Sequence, residues 1–333
     1  MSHRVMGEGM DPMRITVTGG AGFIGSHLVE ALLADGHEVT TLDNLSTGRE
    51  AHLQHVLQHP GHTLVNGDVL DRQTVGRCLA ESDAVYHLAA VLGVRNCVDN
   101  PLNVIRGNLD GTRCVLEEAF ARGVKVIFAS TSEVYGRNPD VPFSEDADRV
   151  LGPTTVHRWC YATAKAMDEH LCLAYAKEGM RTTIIRYFNA YGPRADNTAY
   201  SGVIPQFIGA ALHNEPIRVF GSGKQTRCFT YVDDLVRGTV AALGERADGR
   251  VFNLGTQVEV SINSLAHLIR TLSDSRSQIV HIPYDEAFGR GYEDTMRRVP
   301  DLFEASAALG YRAETNLIAG LGNTIQWQRE HGR

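Results

Sequence analysis

Tyr161 and Lys165 stand four residues apart at the start of a helical pattern, so a helix puts both on one face. A cation beside a phenol favours the phenolate and lowers its pKa. The pair is then a base able to take a proton from a hydroxyl near neutral pH. A lone Tyr-x-x-x-Lys is common by chance and usually marks an exposed helix pair. It gains weight from Ser130-Thr131-Ser132-Glu133, which follows directly on the apolar run Val124 to Ala129. Thr131 is placed to hydrogen-bond the reacting oxygen, and Glu133 puts a carboxylate near it. Serine-rich turns after strands otherwise serve only as caps.

An alcohol that loses a proton to a base needs somewhere to send a hydride, and a second motif supplies the place. Gly19-Gly20-Ala21-Gly22-Phe23-Ile24-Gly25 lies between a β-branched run and a helical one. In that setting Gly19 permits a tight turn, Gly22 lets a pyrophosphate approach the backbone and Gly25 lets helix and sheet pack closely. The helix N-terminus offers free N–H groups and a positive dipole end to phosphate. Asp43 closes the next strand about 20 residues on, where a carboxylate accepts both ribose hydroxyls. It would repel a 2′-phosphate, which favours NAD over NADP. Arg49 is the nearest cation, in the following loop. Asp68, at a third strand end, is placed to hydrogen-bond the adenine amino group, with a helix cap as the alternative.

These residues need a frame, and the apolar periodicity provides one. Arg14 to Thr18, Glu38 to Leu42, Thr63 to Val65, Ala84 to Leu88, Val124 to Ala129 and Thr182 to Tyr187 read as strands. Between them, Phe23 to Leu33, Asp71 to Leu79, Val104 to Arg122 and Tyr161 to Glu178 read as helices. The alternation implies a parallel, doubly wound α/β sheet with right-handed crossovers. The pattern loosens after Phe188. The expectation is a Rossmann domain over 13–187 and a smaller mixed α/β substrate domain over 188–333, with the chain re-entering the first around 233–254.

Composition narrows the function classes. The 333 residues suit two domains. With 43% hydrophobic and 21% charged residues the chain reads as globular. A net charge of −7 gives no basic footprint for nucleic acid. No window approaches the ~20 apolar residues of a membrane span. Met1 to Pro12 reads as a mobile leader, not a secretory signal. Six scattered cysteines without a CxxC pair read as free thiols in a reducing cytoplasm. His52, His55, His59 and His62 cluster, but no acidic residue stands between His55 and His59 to complete a metalloprotease motif, so no metal is expected. No GxSxG elbow is present for a hydrolase.

Taken in order, Gly19 to Gly25, Asp43, Thr131-Ser132-Glu133-Val134-Tyr135-Gly136, Tyr161 with Lys165, and Arg186-Tyr187-Phe188-Asn189-Ala190-Tyr191-Gly192-Pro193-Arg194 resemble the extended short-chain dehydrogenase/reductase superfamily. More narrowly the chain is similar to its NAD-dependent nucleotide-sugar epimerases, dehydratases and decarboxylases, from Met13 to about Trp327. The resemblance implies a tightly held NAD, reduced and reoxidised in one turnover while the sugar C4 hydroxyl is oxidised. It puts further cofactor contacts on Phe23, Ile24, Asn44, Val69, Leu88, Ala89 and Ala90. It puts substrate contacts on Arg95, Ser132, Asn189, Val203, Arg227 and Arg298, and it implies a homodimer built on the two long helices. From the residues alone, Asn189 is a turn residue, Val203 core and both arginines surface.

Three outcomes share this machinery. Glu133 argues against a simple epimerase, which needs no carboxylate there. Sugar 4,6-dehydratases and uronate decarboxylases both have a Thr-x-Glu arrangement, though many dehydratases pair Asp with Glu where this chain has Ser132. Arg158-Trp159-Cys160-Tyr161, Lys224 to Thr230, and Gly291-Tyr292-Glu293-Asp294 followed by Arg298 and Pro300 resemble UDP-glucuronic acid decarboxylases. A guanidinium at Arg298 would recognise a uronate carboxylate. Glu133 would then either destabilise that carboxylate or protonate C5. A 4-epimerase of a UDP-sugar or UDP-uronate, and then a 4,6-dehydratase, are the alternatives. A non-catalytic NAD-sensing regulator, the different class, typically lacks the Tyr/Lys pair.

Overall fold

The computed structural model describes residues 11–195, 202–288 and 294–332, apart from the side chains of Val94 and Arg95. The leader up to Met10, the Arg95 side chain and Gly291-Tyr292-Glu293 therefore lie outside the described residues.

The first half alternates as the apolar pattern dictates. In chain order come β1 (Arg14–Thr18), α1 (Phe23–Ala34), β2 (Glu38–Asp43), β3 (His62–Asn66), α2 (Arg72–Leu79), β4 (Ala84–His87), α3 (Val94–Asp99), α4 (Pro101–Arg122), β5 (Lys125–Thr131), α5 (Cys160–Lys177) and β6 (Thr182–Tyr187). The second half adds β7 (Ala190–Tyr191), α6 (Val203–Leu212), β8 (Ile217–Phe220), β9 (Thr226–Cys228), β10 (Thr230–Tyr231), α7 (Val232–Ala241), β11 (Arg250–Leu254), β12 (Glu259–Ser261), α8 (Ile262–Leu272), β13 (Ile279–Ile282), α9 (Tyr284–Phe288), α10 (Phe303–Leu309) and α11 (Leu317–His331).

Seven strands form one parallel sheet in the order β11-β6-β5-β4-β1-β2-β3. Its inner strands β1, β4, β5 and β6 are buried on both faces, as parallel strands covered by helices must be. From β1 the chain winds one way to β2 and β3, then returns to β4 on the other side. That reversal opens a crevice at the carboxyl ends of β1 and β4, the usual ligand position in such sheets. β11 pairs with β6 in register Arg250↔Thr183, so the chain after α7 does rejoin the large sheet. A separate apolar core gathers Ile204, Phe207, Ile217, Leu265 and Leu321 from α6, β8, α8 and α11. Among the described residues no helix is long and apolar enough to cross a membrane.

Two details differ from the sequence reading. α4 begins at Pro101 rather than Val104, because proline suits the first turn of a helix. The short α3 shows no sustained apolar period and went unread.

A buried histidine under the sheet's carboxyl edge gives a test of the fold. His87 is 1% exposed and bonds Thr18 and Thr112 through its two ring nitrogens. Burial, helped by the Lys165 charge, lowers its pKa to about 3. The unfolded histidine takes its proton below its ordinary 6.5, and the folded one does not. Stability should therefore fall as pH drops from 6.5 towards 3, with a slope of up to ~1.4 kcal/mol per pH unit from this group. Urea unfolding against pH measures the slope. An imidazole already charged at pH 5 by nitrogen NMR would contradict the assignment.

Candidate functional site

The glycine turn is built where the topology needs it. Gly19 follows β1 with φ +71, and a Cβ there would lie 2.7 Å from the Ala89 nitrogen, so the turn after β1 presses on the segment after β4. Leu88 N–H bonds the Thr18 carbonyl and Ala89 N–H the Thr18 hydroxyl, which ties the two strand ends together. A Cβ on Gly25 would meet the Gly19 oxygen at 2.2 Å, so only glycine lets α1 pack so close. Phe23 opens α1 and Ile24 packs on the core beneath it. Gly22 caps this 12-residue helix without a side-chain bond. Its first N–H groups and positive dipole end face outward, as an anion site requires.

Asp43 ends β2 nearly buried, and its two oxygens accept the N–H groups of Ala21 at 2.9 Å and Leu45 at 2.8 Å. The carboxylate thus braces the glycine turn, and each oxygen keeps a lone pair for a hydroxyl. Asn44 donates to Asp68 at 2.8 Å, joining the ends of β2 and β3, while Val69 packs against Gly111 of α4. Ala90 continues the segment after β4. The cradle, the free helix end and the carboxylate fit a dinucleotide. Asp43→Ala should weaken NAD by about tenfold or more, the size of a lost charge-assisted hydrogen bond, and NADP by much less. Titration of both cofactors measures it; an unchanged preference would mean another residue reads the ribose.

α5 carries Tyr161 and Lys165, and its position is set by a buried network. Glu169, one turn beyond Lys165, takes a two-pronged bond from Arg186 of β6, at 2.9 Å and 2.7 Å. The Ser130 hydroxyl of β5 donates to the same carboxylate. These bonds fix the start of α5 over the ends of β5 and β6. Thr131 hydrogen-bonds the Tyr161 phenol, and its oxygen also accepts the Glu133 N–H at 3.2 Å.

The charges around Tyr161 differ from the sequence expectation. Burial pushes the phenol well above its ordinary value, the Glu133 charge adds to this, and the Thr131 bond opposes it. The Lys165 ammonium sits 3.9 Å over the Phe128 ring and 4.0 Å from Asp168, the next acidic residue on its own helix. Burial pulls the Lys165 pKa down and pushes Asp168 up to about 6.

Glu133 is the centre of a charge cluster that spacing could not show. Arg158 approaches one oxygen at 2.6 Å and Arg298 the other at 2.6 Å, with both guanidiniums nearly buried. Burial alone would raise the Glu133 carboxyl, but Arg158 and Arg298 together hold it well below the carboxylate range. Arg158 also lies over the Trp159 ring at 4.9 Å. Sequence reasoning noted Arg158 only as part of a motif, and its place three residues before Tyr161 was the available signal. Ser132 is buried beside Glu133.

Of the remaining expected residues, Arg227 lies beside this cluster. Arg227 bonds Asp294 at 2.7 Å and the carbonyls of Thr226 and Thr295, and the Arg298 charge acts on it. Asp294 is its anchor and had not been assigned. Both arginines are buried, not surface. Asn189 adopts φ +39 and donates to the Cys228 carbonyl at 3.2 Å, at the joint between β6 and β7. Val203 is the first residue of α6 and packs on the smaller core. Among the described residues no group of three or more His, Cys, Asp or Glu is placed to hold a metal. His52 and His62 instead bond Ala21 and Thr41.

Comparison with known proteins agrees with this geometry. Residues 15–255 match the model of the NAD dependent epimerase/dehydratase family. A UDP-N-acetyl-alpha-D-glucosaminuronate decarboxylase from Bacillus cytotoxicus is 44% identical over 95% of this chain and 98% of its own. A UDP-glucuronic acid decarboxylase from Danio rerio is 40% identical over 95% of this chain and 73% of its own. The structure of UDP-glucuronic acid 4-epimerase from Bacillus cereus, in complex with UDP-glucuronic acid and NAD, superposes with a TM-score of 0.86 at 30% identity, covering 96% and 99% of the two chains. The chain belongs to the NAD dependent epimerase/dehydratase family of enzymes.

Proposed function

We propose that the chain is an NAD-dependent decarboxylase of a UDP-linked uronic acid. The observation that carries this is the cluster beside Tyr161: two buried guanidiniums, Arg158 and Arg298, share a single carboxylate, Glu133. One positive charge is left over, which suits a sugar carboxylate and has no use for a neutral hexose. Among the described residues the buried Arg298 Nε has no hydrogen-bond partner. The two decarboxylase relatives support the same reading, and their named sugars differ at C2.

Bound NAD would supply the acceptor for the C4 hydride and a positive ring near the phenol. Tyr161 takes the C4 hydroxyl proton, with Thr131 bonded to the phenol and directed at the same oxygen. The 4-keto sugar is a β-keto acid, so its C5–carboxyl bond breaks with loss of carbon dioxide. The electron pair passes into an enolate that takes a solvent proton at C5, and the C4 ketone would regain the hydride from the cofactor and its proton from Tyr161. Glu133, held ionised, is not the proton donor; it positions Arg158 and Arg298 over the reacting carboxylate. Arg227, Asn189, Val203 and Ser132 would hold the rest of the nucleotide sugar. UDP-glucuronic acid and its 2-acetamido analogue, offered separately, test the reading by mass. At least one should give a product lighter by one carbon dioxide. A product of unchanged mass with C4 inverted would make the chain an epimerase, and loss of water a dehydratase.

We read residues 13–187 with the returning 233–254 segment as the cofactor domain and the rest as the substrate domain. A cytoplasmic home suits the six free thiols. A homodimer is also proposed, because Leu102, Ile105 and Phe120 of α4 and Met167 of α5 are exposed on helices that pack together. Light scattering at micromolar concentration should give twice the chain mass. A monomer there would exclude the dimer.

A further inference from the structure

Cys97 and Cys160 are two of six cysteines, far apart in sequence, whose thiols meet in a hydrogen bond beside the catalytic tyrosine. Cys97 lies within α3 and is 2% exposed; Cys160 is half-buried. α3 packs against the turn His157–Trp159 that leads into α5, and Cys160 is the first residue of that 18-residue helix. The Cys97 thiol is also close enough to Tyr161 for its charge to bear on the phenol. None of the steps above uses either sulfur.

The two thiols are not equivalent. Cys160 receives the Cys97 hydrogen bond, has the Tyr161 backbone N–H directed at its sulfur at the start of α5, and has the Arg158 guanidinium nearby. Each of these favours thiolate, and the bond from Cys97 weighs most in holding Cys160 below the ordinary thiol value. A partly exposed thiol whose thiolate form is favoured, with a second thiol in contact, is the arrangement of an attacking and a resolving cysteine.

We propose that Cys97 and Cys160 form a reversible intramolecular disulfide, driven by a peroxide, that switches off the enzyme. The Cys160 thiolate attacks one peroxide oxygen; the O–O bond breaks, water leaves after protonation, and the sulfur becomes a sulfenic acid. The Cys97 sulfur then displaces that hydroxyl, its proton leaves with it as a second water, and the S–S bond forms. The two sulfurs are oxidised and the peroxide is reduced. A dithiol returns both thiols by exchange. The bond ties α3 to the start of α5 and so fixes the segment that carries Tyr161 in the position the disulfide demands. The loss of activity rests on the decarboxylase reading; the bond itself does not.

Full-length protein treated with hydrogen peroxide should lose two of its six free thiols, counted under denaturing conditions. Peptide mapping should join Cys97 to Cys160, turnover should be lost, and dithiothreitol should restore both. Cys97→Ser should instead trap a sulfenic acid at Cys160 that a dimedone probe labels, and Cys160→Ser should leave Cys97 unoxidised. Six thiols remaining, a bond between other cysteines, or a bond between two chains on a non-reducing gel would overturn the pairing. A mapped Cys97–Cys160 bond with full turnover would overturn the switch. Since mapping needs no substrate, a wrong substrate assignment leaves the disulfide test intact.

Discussion

Tyr161→Phe is expected to lower turnover ~100- to 10,000-fold, the range for loss of a general base. KM should move little, because one hydroxyl is a small part of the contact with a nucleotide sugar. The phenol oxygen is the proposed base for the C4 hydroxyl, with Thr131 bonded to it. Burial and the Glu133 charge raise its pKa in the chain alone. The rate of the remaining wild-type oxidation should therefore climb with pH across the neutral range. Stopped-flow absorbance at the reduced nicotinamide band follows the first oxidation directly. A Phe variant that still reduces its cofactor at more than a tenth of the wild-type rate would remove Tyr161 from the chemistry.

Arg298→Ala should weaken a UDP-uronic acid roughly 10- to 100-fold, the equivalent of one charge-assisted hydrogen bond, while UDP-glucose changes far less. The argument is the charge count around Glu133: without Arg298, Arg158 and Glu133 neutralise each other and nothing remains for the sugar carboxylate. Calorimetric titration of both nucleotide sugars decides it, and equal losses would place Arg298 on the diphosphate. Glu133→Gln acts on the same pair from the other side. It keeps the shape but frees both guanidiniums, so the first oxidation should survive while the second half-reaction slows and a 4-keto sugar accumulates. A silent Glu133→Gln would point to epimerisation.

The parts of this site that were legible in the sequence are those made by neighbours in the chain. Gly19 to Gly25 and Asp43 act through one strand–turn–helix–strand unit, and Tyr161 with Lys165 through one helical turn. The parts that were not legible are pairings between distant segments. Arg158 and Arg298 reach Glu133 from two separate later segments of the chain, and nothing in their local sequence says that they meet. The pKa of Tyr161 was misjudged because spacing shows neither the burial of the phenol nor the Glu133 charge beside it. α3 was missed because six residues are too few for a helical period to show.

The central claim, decarboxylation by way of oxidation at C4, is tested most directly with UDP-glucuronic acid, or its 2-acetamido analogue, carrying deuterium at C4. The account predicts a UDP-pentose that keeps the deuterium at C4, gains one solvent hydrogen at C5 and has lost its carboxyl group as carbon dioxide. A six-carbon product, or a pentose whose C4 deuterium has exchanged with solvent, would contradict it.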